Sequence, residues 1–204
     1  TFLPLGLRVL AKIEDIVREE MNKIASEVLM PALSPKEVWA KTGRLDTMDV
    51  MMQTQGANEA SITKNDSNYI LNATHEELVT PLAAKFTYSY KQLPLALYQI
   101  QTKFRNEPRA KSGLLRCREF RMKDLYSFHT NEDDLKAYYE VVKGSYTNIF
   151  KRVGLGNDTF IALASGGDFT DDNSHEFQTR CESGEDIIFQ ASKANLHFNR
   201  EITP

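Results

Sequence analysis

The chain has 204 residues, of which 41% are hydrophobic and 26% charged, and its formal net charge is −3. This composition is typical of a folded globular domain and excludes a disordered, collagen-like or low-complexity chain. Without a basic excess, contact with nucleic acid would need a local patch of positive charge. No apolar run approaches the roughly 18 residues that a membrane span needs, so we expect no membrane partner.

The cysteines and the first residues bear on where the protein works. Cys117 and Cys181 form no CxxC pair, which favours a reducing compartment over a disulfide scaffold or a zinc knuckle. Residues 1–6 lack the charged segment of a signal peptide, and the chain does not begin with Met. We therefore expect a cytoplasmic location and a chain that begins inside a longer gene product.

The first predicted element is a long amphipathic helix. Apolar residues recur at helical spacing over residues 7–27, with charged residues between them. The apolar run of residues 28–31 that follows is typical of a strand end. Ser34 and Pro35 then have the N-cap and first-turn positions of a short helix that Gly43 would end.

Short strands are predicted within residues 47–72, because clusters of turn-forming residues interrupt this stretch. A helix to about Tyr90 should follow. Thr74 and Glu77 have the spacing of a capping box at its start. Pro81 would remove one of its interior hydrogen bonds.

A β-hairpin and a second long helix occupy the middle of the chain. Two β segments, 95–105 and 116–124, flank a polar loop, which favours an antiparallel pair. The helix is predicted to run from Asn131, where acidic residues suit its positive end, to Gly154. Its predicted buried stripe consists of Leu135, Tyr138, Tyr139, Val142, Tyr146, Ile149 and Val153.

The C-terminal part is predicted to consist of strands around a loop rich in glycine and aspartate. The strands cover residues 159–164, 175–179 and 185–190, and the loop covers residues 165–174. Antiparallel strands flanked by helices indicate an α+β fold rather than a wound parallel sheet.

Three arginines and one aromatic ring converge on the predicted hairpin loop: Arg105, Arg116, Arg118 and Phe120. Alternate residues of a strand share a face, so the last three should line one side of the return strand, together with Met122 and Asp124. Arginine makes planar, bidentate hydrogen bonds to phosphate, and a phenyl face stacks on a base. This pattern favours a nucleotide polyphosphate site, and the alternative is a solvated edge with scattered ion pairs.

The hairpin sequence resembles motif 2 of the class II aminoacyl-tRNA synthetases: Phe-Arg-x-Glu at 104–107, a ten-residue gap, and Arg-Glu-Phe at 118–120. Residues 3–10 and 28–33 look like motif 1, whose proline would be Pro31. Further stretches look like bacterial prolyl-tRNA synthetases, namely Thr-His-Glu-Glu at 74–77, residues 90–94, residues 98–105, Met-Lys-Asp-Leu-Tyr-Ser-Phe-His at 122–129, Ser-His-Glu-Phe at 174–177 and Gly-Glu-Asp at 184–186. The likeness covers nearly the whole chain in order.

The resemblance implies an enzyme that forms prolyl-adenylate from proline and ATP, with Mg²⁺, and then charges tRNA(Pro). Arg105 would be the catalytic residue, bridging the proline carboxylate and the ATP α-phosphate. Glu107 would accept from the adenine amino group, Arg116 would reach the outer phosphates, and Phe120 would stack on adenine. Orientation and neutralisation of phosphate charge would supply most of the catalysis.

The resemblance also implies a proline site. Thr74 and Glu76 would hold the proline amine, with Met122, Asp124 and His175 near the ring pocket and Arg105 at the carboxylate. Structural alternatives stay open for Thr74 as a helix cap, for Asp124 as the cap of a turn, and for His175 as a satisfied strand histidine.

The sequence departs from the family pattern in several places. Motif 3, an editing domain and an anticodon-binding domain do not occur, so residues 1–204 would be a partial catalytic core that is inactive alone. Gln190 and Lys193 stand where the family often has paired cysteines, so no zinc is expected. Residues 166–175 are more acidic than the family's usual Gly-Gly-Ser-x-Ser-His form, which bears on the shape of the proline pocket.

Motif 1 forms the dimer interface in class II synthetases, so the resemblance implies a homodimer through the first helix. Two other functions stay open at this point. One is a class II synthetase for another amino acid, such as threonine or serine. The other is a non-catalytic paralogue that regulates or binds tRNA.

Overall fold

The computed structural model describes residues 1–111, 113–166, 174–191 and 196–202. The helices are α1 (Pro4–Met21), α2 (Lys36–Thr42), α3 (Arg44–Thr47), α4 (Glu59–Lys64), α5 (Glu76–Phe86) and α6 (Glu132–Arg152). The strands are β1 (Ser26–Glu27), β2 (Leu33–Pro35), β3 (Met52–Thr54), β4 (Tyr69–Leu71), β5 (Leu95–Phe104), β6 (Glu119–Phe128), β7 (Thr159–Ala164), β8 (Ser174–Thr179), β9 (Ile188–Ala191) and β10 (Leu196–Asn199). They group into two compact units, residues 1–20 with 140–204, and residues 21–139.

The unit of residues 21–139 contains two three-stranded sheets. In one, β5 and β6 form the predicted antiparallel hairpin, with Leu95 opposite Phe128 and Phe104 opposite Glu119, and β1 joins β5 in parallel. In the other, β4 lies between β2 and β3 and is antiparallel to both. Fully buried apolar side chains of this unit include Met21, Trp39, Ile70 and Tyr98.

The first helix ends earlier than the periodicity predicts. α1 stops at Met21, and residues 26–27 form β1. Ser26 lies opposite Leu97, and the backbone N of Val28 donates to the carbonyl of Tyr98 at 2.8 Å. The prediction of a strand end at residues 28–31 is wrong, since none of these residues belongs to a strand. The strand lies instead at residues 26–27, inside the predicted helix, because pairing with a neighbouring strand outweighs local helical spacing.

The short helix α2 ends as predicted but begins differently. Gly43 has φ 75°, in the left-handed region that glycine adopts without strain, and it ends the helix. Pro35 is the N-cap residue, and Ser34 lies in β2. The Ser34 hydroxyl donates to Asn72 Oδ1 at 2.5 Å and accepts from Trp39 Nε1 at 2.8 Å, so buried side chains compete with the cap.

The stretch of residues 47–72 contains the predicted short strands and one helix that the sequence analysis missed. β3 and β4 are the strands, and α4 lies between them. Asn58 caps α4, since its side-chain oxygen accepts from the backbone N of Ser61 at 3.0 Å. A residue that signals a turn here begins a helix instead.

Helix α5 lacks the predicted capping box. His75 is its N-cap residue and makes no side-chain cap hydrogen bond. The Thr74 hydroxyl donates to the Glu76 carboxylate, and Glu77 accepts from Arg44 Nη1 at 3.0 Å. The Glu77 carboxylate, which the box would need at the helix start, is thus bonded to a charged group, and such a bond is stronger than one to a neutral backbone N–H.

The prediction is closer for the remaining helix boundaries. α5 contains Pro81, as predicted, and ends at Phe86 rather than near residue 90. α6 is capped by Asn131, whose side chain accepts from the backbone N of Asp134 at 2.9 Å. Gly154, with φ 86°, follows its last turn.

The predicted stripe on α6 is only half-buried. Tyr146 contacts the ring of Phe177 on β8, with centroids 5.5 Å apart, and so does Phe150, which lies outside the predicted stripe, at 5.4 Å. Leu135 and Tyr139, by contrast, are exposed. The apolar stripe of this helix thus includes half-buried residues and surface residues.

The other sheet lies in the unit of residues 1–20 and 140–204. Its order is β8-β7-β10-β9, with a parallel pair of β7 and β10 and antiparallel pairs on either side. β10 was missed by the sequence analysis, and β9 covers residues 188–191 rather than 185–190. Among the described residues, no helix has the length and apolar character to cross a membrane. The predicted α+β fold with mainly antiparallel sheets is confirmed.

Candidate active site

One face of the β5–β6 hairpin carries the predicted site residues. Residues of one strand that lie opposite residues of the other share a face of the sheet. The pairs on this face are Gln99 with Asp124, Gln101 with Met122, and Lys103 with Phe120. Three polar side chains of β5 that the sequence analysis did not select therefore lie beside three of the predicted residues.

Arg105 follows the last residue of β5. Its backbone N donates to the carbonyl of Arg118 at 3.0 Å, which holds it where the two strands converge. The guanidinium carbon lies 5.5 Å from the centroid of the Phe120 ring. Arg105 Nε is buried and has no hydrogen-bond partner among the described residues. A buried charged donor without a partner is costly, so an anionic ligand oxygen would satisfy it.

The loop end of the hairpin carries an exposed ion pair. Arg116 Nη1 lies 3.2 Å from Glu107 Oε2, and 44% of the Arg116 side chain is exposed. Arg118 Nε donates to the carbonyl of Glu107 at 2.9 Å. Both arginines precede β6, so the predicted shared strand face is wrong for them and holds for Phe120 onward.

Thr74 and Glu76 meet at the start of α5. The Thr74 hydroxyl donates to Glu76 Oε2, and Arg44 Nη1 donates to the same oxygen at 3.0 Å. Thr74 is buried, whereas 34% of the Glu76 side chain is exposed. A carboxylate that is both oriented and accessible can accept a further cationic donor, such as an amine.

Asp124 is held from several directions. Its Oδ2 accepts from Lys103 Nζ at 2.9 Å, from the Tyr126 hydroxyl at 2.5 Å and from Gln99 Nε2 at 3.1 Å. Its Oδ1 is buried without a hydrogen-bond partner among the described residues. Burial, followed by the charge of Glu76, raises the pKa of Tyr126. Its hydroxyl therefore stays protonated and can donate to the carboxylate.

Lys103 and His75 form a buried pair that the sequence analysis missed. Both residues have no exposed surface, and Lys103 Nζ lies 2.5 Å from His75 Nδ1. His75 Nε2 lies 2.8 Å from the carbonyl of Pro31, the proline of the predicted motif 1. The sequence gives one signal for this pair, because Lys103 lies inside the predicted hairpin, two residues before Arg105. Its partner, 28 residues earlier, required the tertiary structure.

Met122 and His175, the two remaining predicted proline-site residues, are described by their positions on strands. Met122 is half-buried on β6, opposite Gln101. His175 lies on β8, opposite Leu163, in the unit of residues 1–20 and 140–204. Burial, and then the charge of Lys143, lowers the pKa of His175. The other proline-site residues belong to residues 21–139, so the role of His175 in the pocket stays a prediction.

The residues that bear on a metal site are only partly described. Among the described residues, no three His, Cys, Asp or Glu side chains lie close enough together to hold a metal ion. Gln190 pairs with His197 across β9 and β10. Lys193 and most of the acidic loop, residues 167–173, lie outside the described residues. The prediction that the chain binds no zinc stays a prediction.

Sequence relatives point to one enzyme class. The chain is 45% identical to the proline–tRNA ligase of Vesicomyosocius okutanii over 202 residues, which are 98% of this chain and 35% of that protein. It is also 45% identical to the proline–tRNA ligase of Ruthia magnifica over 203 residues, again 98% of this chain and 35% of that protein. The chain thus spans about a third of the curated relatives it matches.

Solved structures share the fold. Prolyl-tRNA synthetase of Giardia lamblia, in complex with prolyl-adenylate, superposes with a TM-score of 0.73 and 22% identity, over 83% of this chain and 34% of that one. The enzyme of Cryptosporidium parvum, complexed with L-proline and AMP, has a TM-score of 0.70 and 15% identity, over 85% of this chain and 34% of that one.

A family model covers most of the chain. Residues 58–199 match the tRNA synthetase class II core domain (G, H, P, S and T). The match includes the β5–β6 hairpin, the start of α5 and the strands β7 to β10. The chain therefore belongs to the family of class II tRNA synthetase core domains.

Proposed function

We propose that this chain supplies part of the active site of a proline–tRNA ligase. Such an enzyme joins proline to the α-phosphate of ATP and then transfers the prolyl group to tRNA(Pro). The 45% identity to proline–tRNA ligases supports this substrate. The structural observation that carries the proposal is Arg105, whose buried Nε has no partner among the described residues and whose guanidinium lies against Phe120.

In the proposed adenylation step, a carboxylate oxygen of proline attacks the α-phosphorus of ATP, and pyrophosphate leaves. ATP enters as a substrate together with Mg²⁺. Both reacting groups are anionic and repel each other, so a planar cation that donates to both lowers the barrier by orientation and charge neutralisation. Arg105 has the donor geometry for that role, and its Nε is not committed to another described group.

The amine of proline is a secondary ammonium with two N–H donors. We assign these donors to the Glu76 carboxylate and the Thr74 hydroxyl oxygen. Glu76 is partly exposed and is oriented by Thr74 and Arg44, which supports this assignment. Asp124 and Met122 lie on the hairpin face and are proposed to line the ring pocket, and the part of His175 in it stays a prediction.

The nucleotide is proposed to contact the loop end of the hairpin. Phe120 would stack on adenine, Glu107 would accept from its amino group, and Arg116 would reach the outer phosphates. Glu107 and Arg116 pair with each other at 3.2 Å near the surface. Surface pairs of this kind are weak, so they can separate to meet a ligand at little cost.

The whole protein is proposed to be a cytoplasmic homodimer that meets through α1. The support is a series of exposed apolar side chains on this helix. Leu5, Val9 and Ile13 follow each other at intervals of four residues and so share one face of the helix, and they are 76%, 50% and 40% exposed. Exposed apolar patches of this kind mark protein–protein interfaces. Light scattering that finds only a monomer at micromolar concentrations would contradict this assembly.

Proline-dependent ATP–pyrophosphate exchange tests the proposed function on the full-length gene product that carries residues 1–204. We expect exchange with proline, weak exchange with alanine, since each missing methylene is worth only about 1–3 kcal/mol, and none with threonine or serine. Exchange with threonine or serine instead would indicate another synthetase. No exchange with any amino acid would indicate a non-catalytic paralogue. The isolated 204-residue chain is expected to be inactive.

A further inference from the structure

Beneath the proposed proline site, four residues close a cycle of hydrogen bonds. Lys103 Nζ donates to Asp124 Oδ2 at 2.9 Å, and the Tyr126 hydroxyl donates to the same oxygen at 2.5 Å. The backbone N of His75 donates to the Tyr126 hydroxyl oxygen at 3.1 Å. His75 Nδ1 lies 2.5 Å from Lys103 Nζ, which completes the cycle.

Each member of this cycle has a fixed role as donor or acceptor. An ammonium can only donate, so His75 Nδ1 accepts from Lys103 and its proton lies on Nε2, which donates to the Pro31 carbonyl. Burial, and then the charge of Lys103, lowers the pKa of His75, in agreement with a neutral ring. An ionised carboxylate can only accept, which fixes Asp124.

Because the cycle is buried, the charged Lys103 side chain costs folding free energy, and a functional role would explain why it is there. Its side chain has 0% exposure, and that of Asp124 has 12%. Taking an ammonium out of water costs several kcal/mol, and well-packed apolar residues often replace buried ion pairs without loss of stability. A lysine at this position is better explained by what it holds in place.

His75 is held through its backbone and through both ring nitrogens. Its backbone N contacts Tyr126, and its ring lies between Lys103 and the Pro31 carbonyl. The two residues on either side of it in sequence, Thr74 and Glu76, are the proposed ligands of the proline amine. Fixing the backbone and the ring of His75 therefore fixes the spacing between those two ligands.

We propose that Lys103 is a positioning residue of the amino-acid site: acting through His75 and Asp124, it sets the separation and orientation of Thr74 and Glu76. This inference rests on the proposed function, because it explains how Thr74 and Glu76 are preorganised for proline binding. Lys103 itself does not touch the substrate. Its removal should impair binding of proline far more than binding of ATP.

The test measures pyrophosphate exchange by the full-length protein with Lys103→Met, normalised by active-site titration. We expect the KM for proline to rise at least tenfold, with the KM for ATP within twofold of the wild-type value. The matched control is Lys123→Met on the same hairpin, because Lys123 alternates with Asp124 and Met122 and so lies on the opposite face of β6. The control should leave both KM values within twofold. A KM for proline within twofold in Lys103→Met, with only the active fraction lowered, would show a purely structural lysine and overturn the proposal.

A second pair of variants separates the two ring contacts and serves if Lys103→Met does not fold. Asn at position 75 can place an acceptor near Nδ1 and keep the Lys103 bond, whereas Gln can place a donor near Nε2 and keep the Pro31 bond. We expect His75→Gln to raise the KM for proline at least tenfold and His75→Asn to raise it threefold or less. The reverse order would assign the effect to the Pro31 contact and overturn the role of Lys103. Wild-type protein without proline-dependent exchange would instead refute the proposed function.

Discussion

The β5–β6 hairpin carries charge in two regions, the paired strands and the connecting loop, and the two regions hold it differently. On the paired strands, Lys103 and Asp124 are almost entirely buried and belong to a closed cycle with His75 and Tyr126. In the loop, Arg116 pairs with Glu107, and 44% of the Arg116 side chain is exposed. The strand region is therefore organised before a ligand arrives, and the loop region can reorganise around one.

The difference follows from the dielectric environment. A buried charge that loses its partner is strongly destabilising, whereas an exposed pair is screened by water and contributes little. A small substrate such as an amino acid offers few contacts, so its site gains from preorganisation. A polyphosphate carries several charges and can recruit flexible arginines. Arg105 lies between the strand region and the loop region and is proposed to bind both substrates.

The largest expected effect on activity comes from Arg105, since it lies between the strand region and the loop region. Arg105→Lys should raise the activation free energy that corresponds to kcat/KM for proline-dependent exchange by about 3–4 kcal/mol. The reason is that a point ammonium cannot donate to the carboxylate and the α-phosphate together. Arg121→Lys, on the opposite face of β6 from Phe120, is the control and should stay within twofold. An Arg105→Lys enzyme within threefold of wild type would contradict the bridging role.

A smaller effect, confined to the nucleotide, is expected from Phe120. Phe120→Ala should weaken ATP binding by about 1–3 kcal/mol, the range of base–aromatic stacking, with little change in the KM for proline. Phe120→Tyr keeps the ring and should remain close to wild type. The KM values for both substrates, measured side by side, decide whether Phe120 serves ATP alone. An equal loss for proline would place it in both sites.

The smallest effect is expected for folding stability in the loop region. Arg116→Gln should change the free energy of unfolding by about 0–1 kcal/mol, because its ion pair with Glu107 is exposed to water. Lys103→Met should cost about 3–5 kcal/mol, because it leaves the Asp124 carboxylate buried without its counter-charge. Urea unfolding of the two variants measures both values. Similar losses of unfolding free energy in the two variants would contradict the distinction between the strand region and the loop region.

Much of the fold could be predicted from the sequence where local chemistry decides it. The hairpin follows from two β segments around a polar loop, and α6 from Asn131 at its start and Gly154 after its end. Gly43 ends α2 because few other residues adopt its positive φ without strain. In each case the controlling residues lie within a few positions of the feature, so a window of sequence contains the cause.

The candidate site was predictable in part. The order of motifs selected Arg105, Phe120, Thr74, Glu76 and Asp124, and their roles stay predictions until the variants are measured. The same pattern missed Arg44, which bonds to Glu76 from 32 residues away. It also predicted a capping box where Arg44, from another helix, binds Glu77.

Sequence alone determined which residues carry charge, where turns occur and which segments pair locally. Only the tertiary structure decided that Lys103 meets His75 and that the Pro31 carbonyl accepts from the same ring. These contacts join residues 28 and 44 positions apart. No local propensity encodes such a contact, because it forms only when folding buries both partners and the lost hydration makes their hydrogen bond necessary.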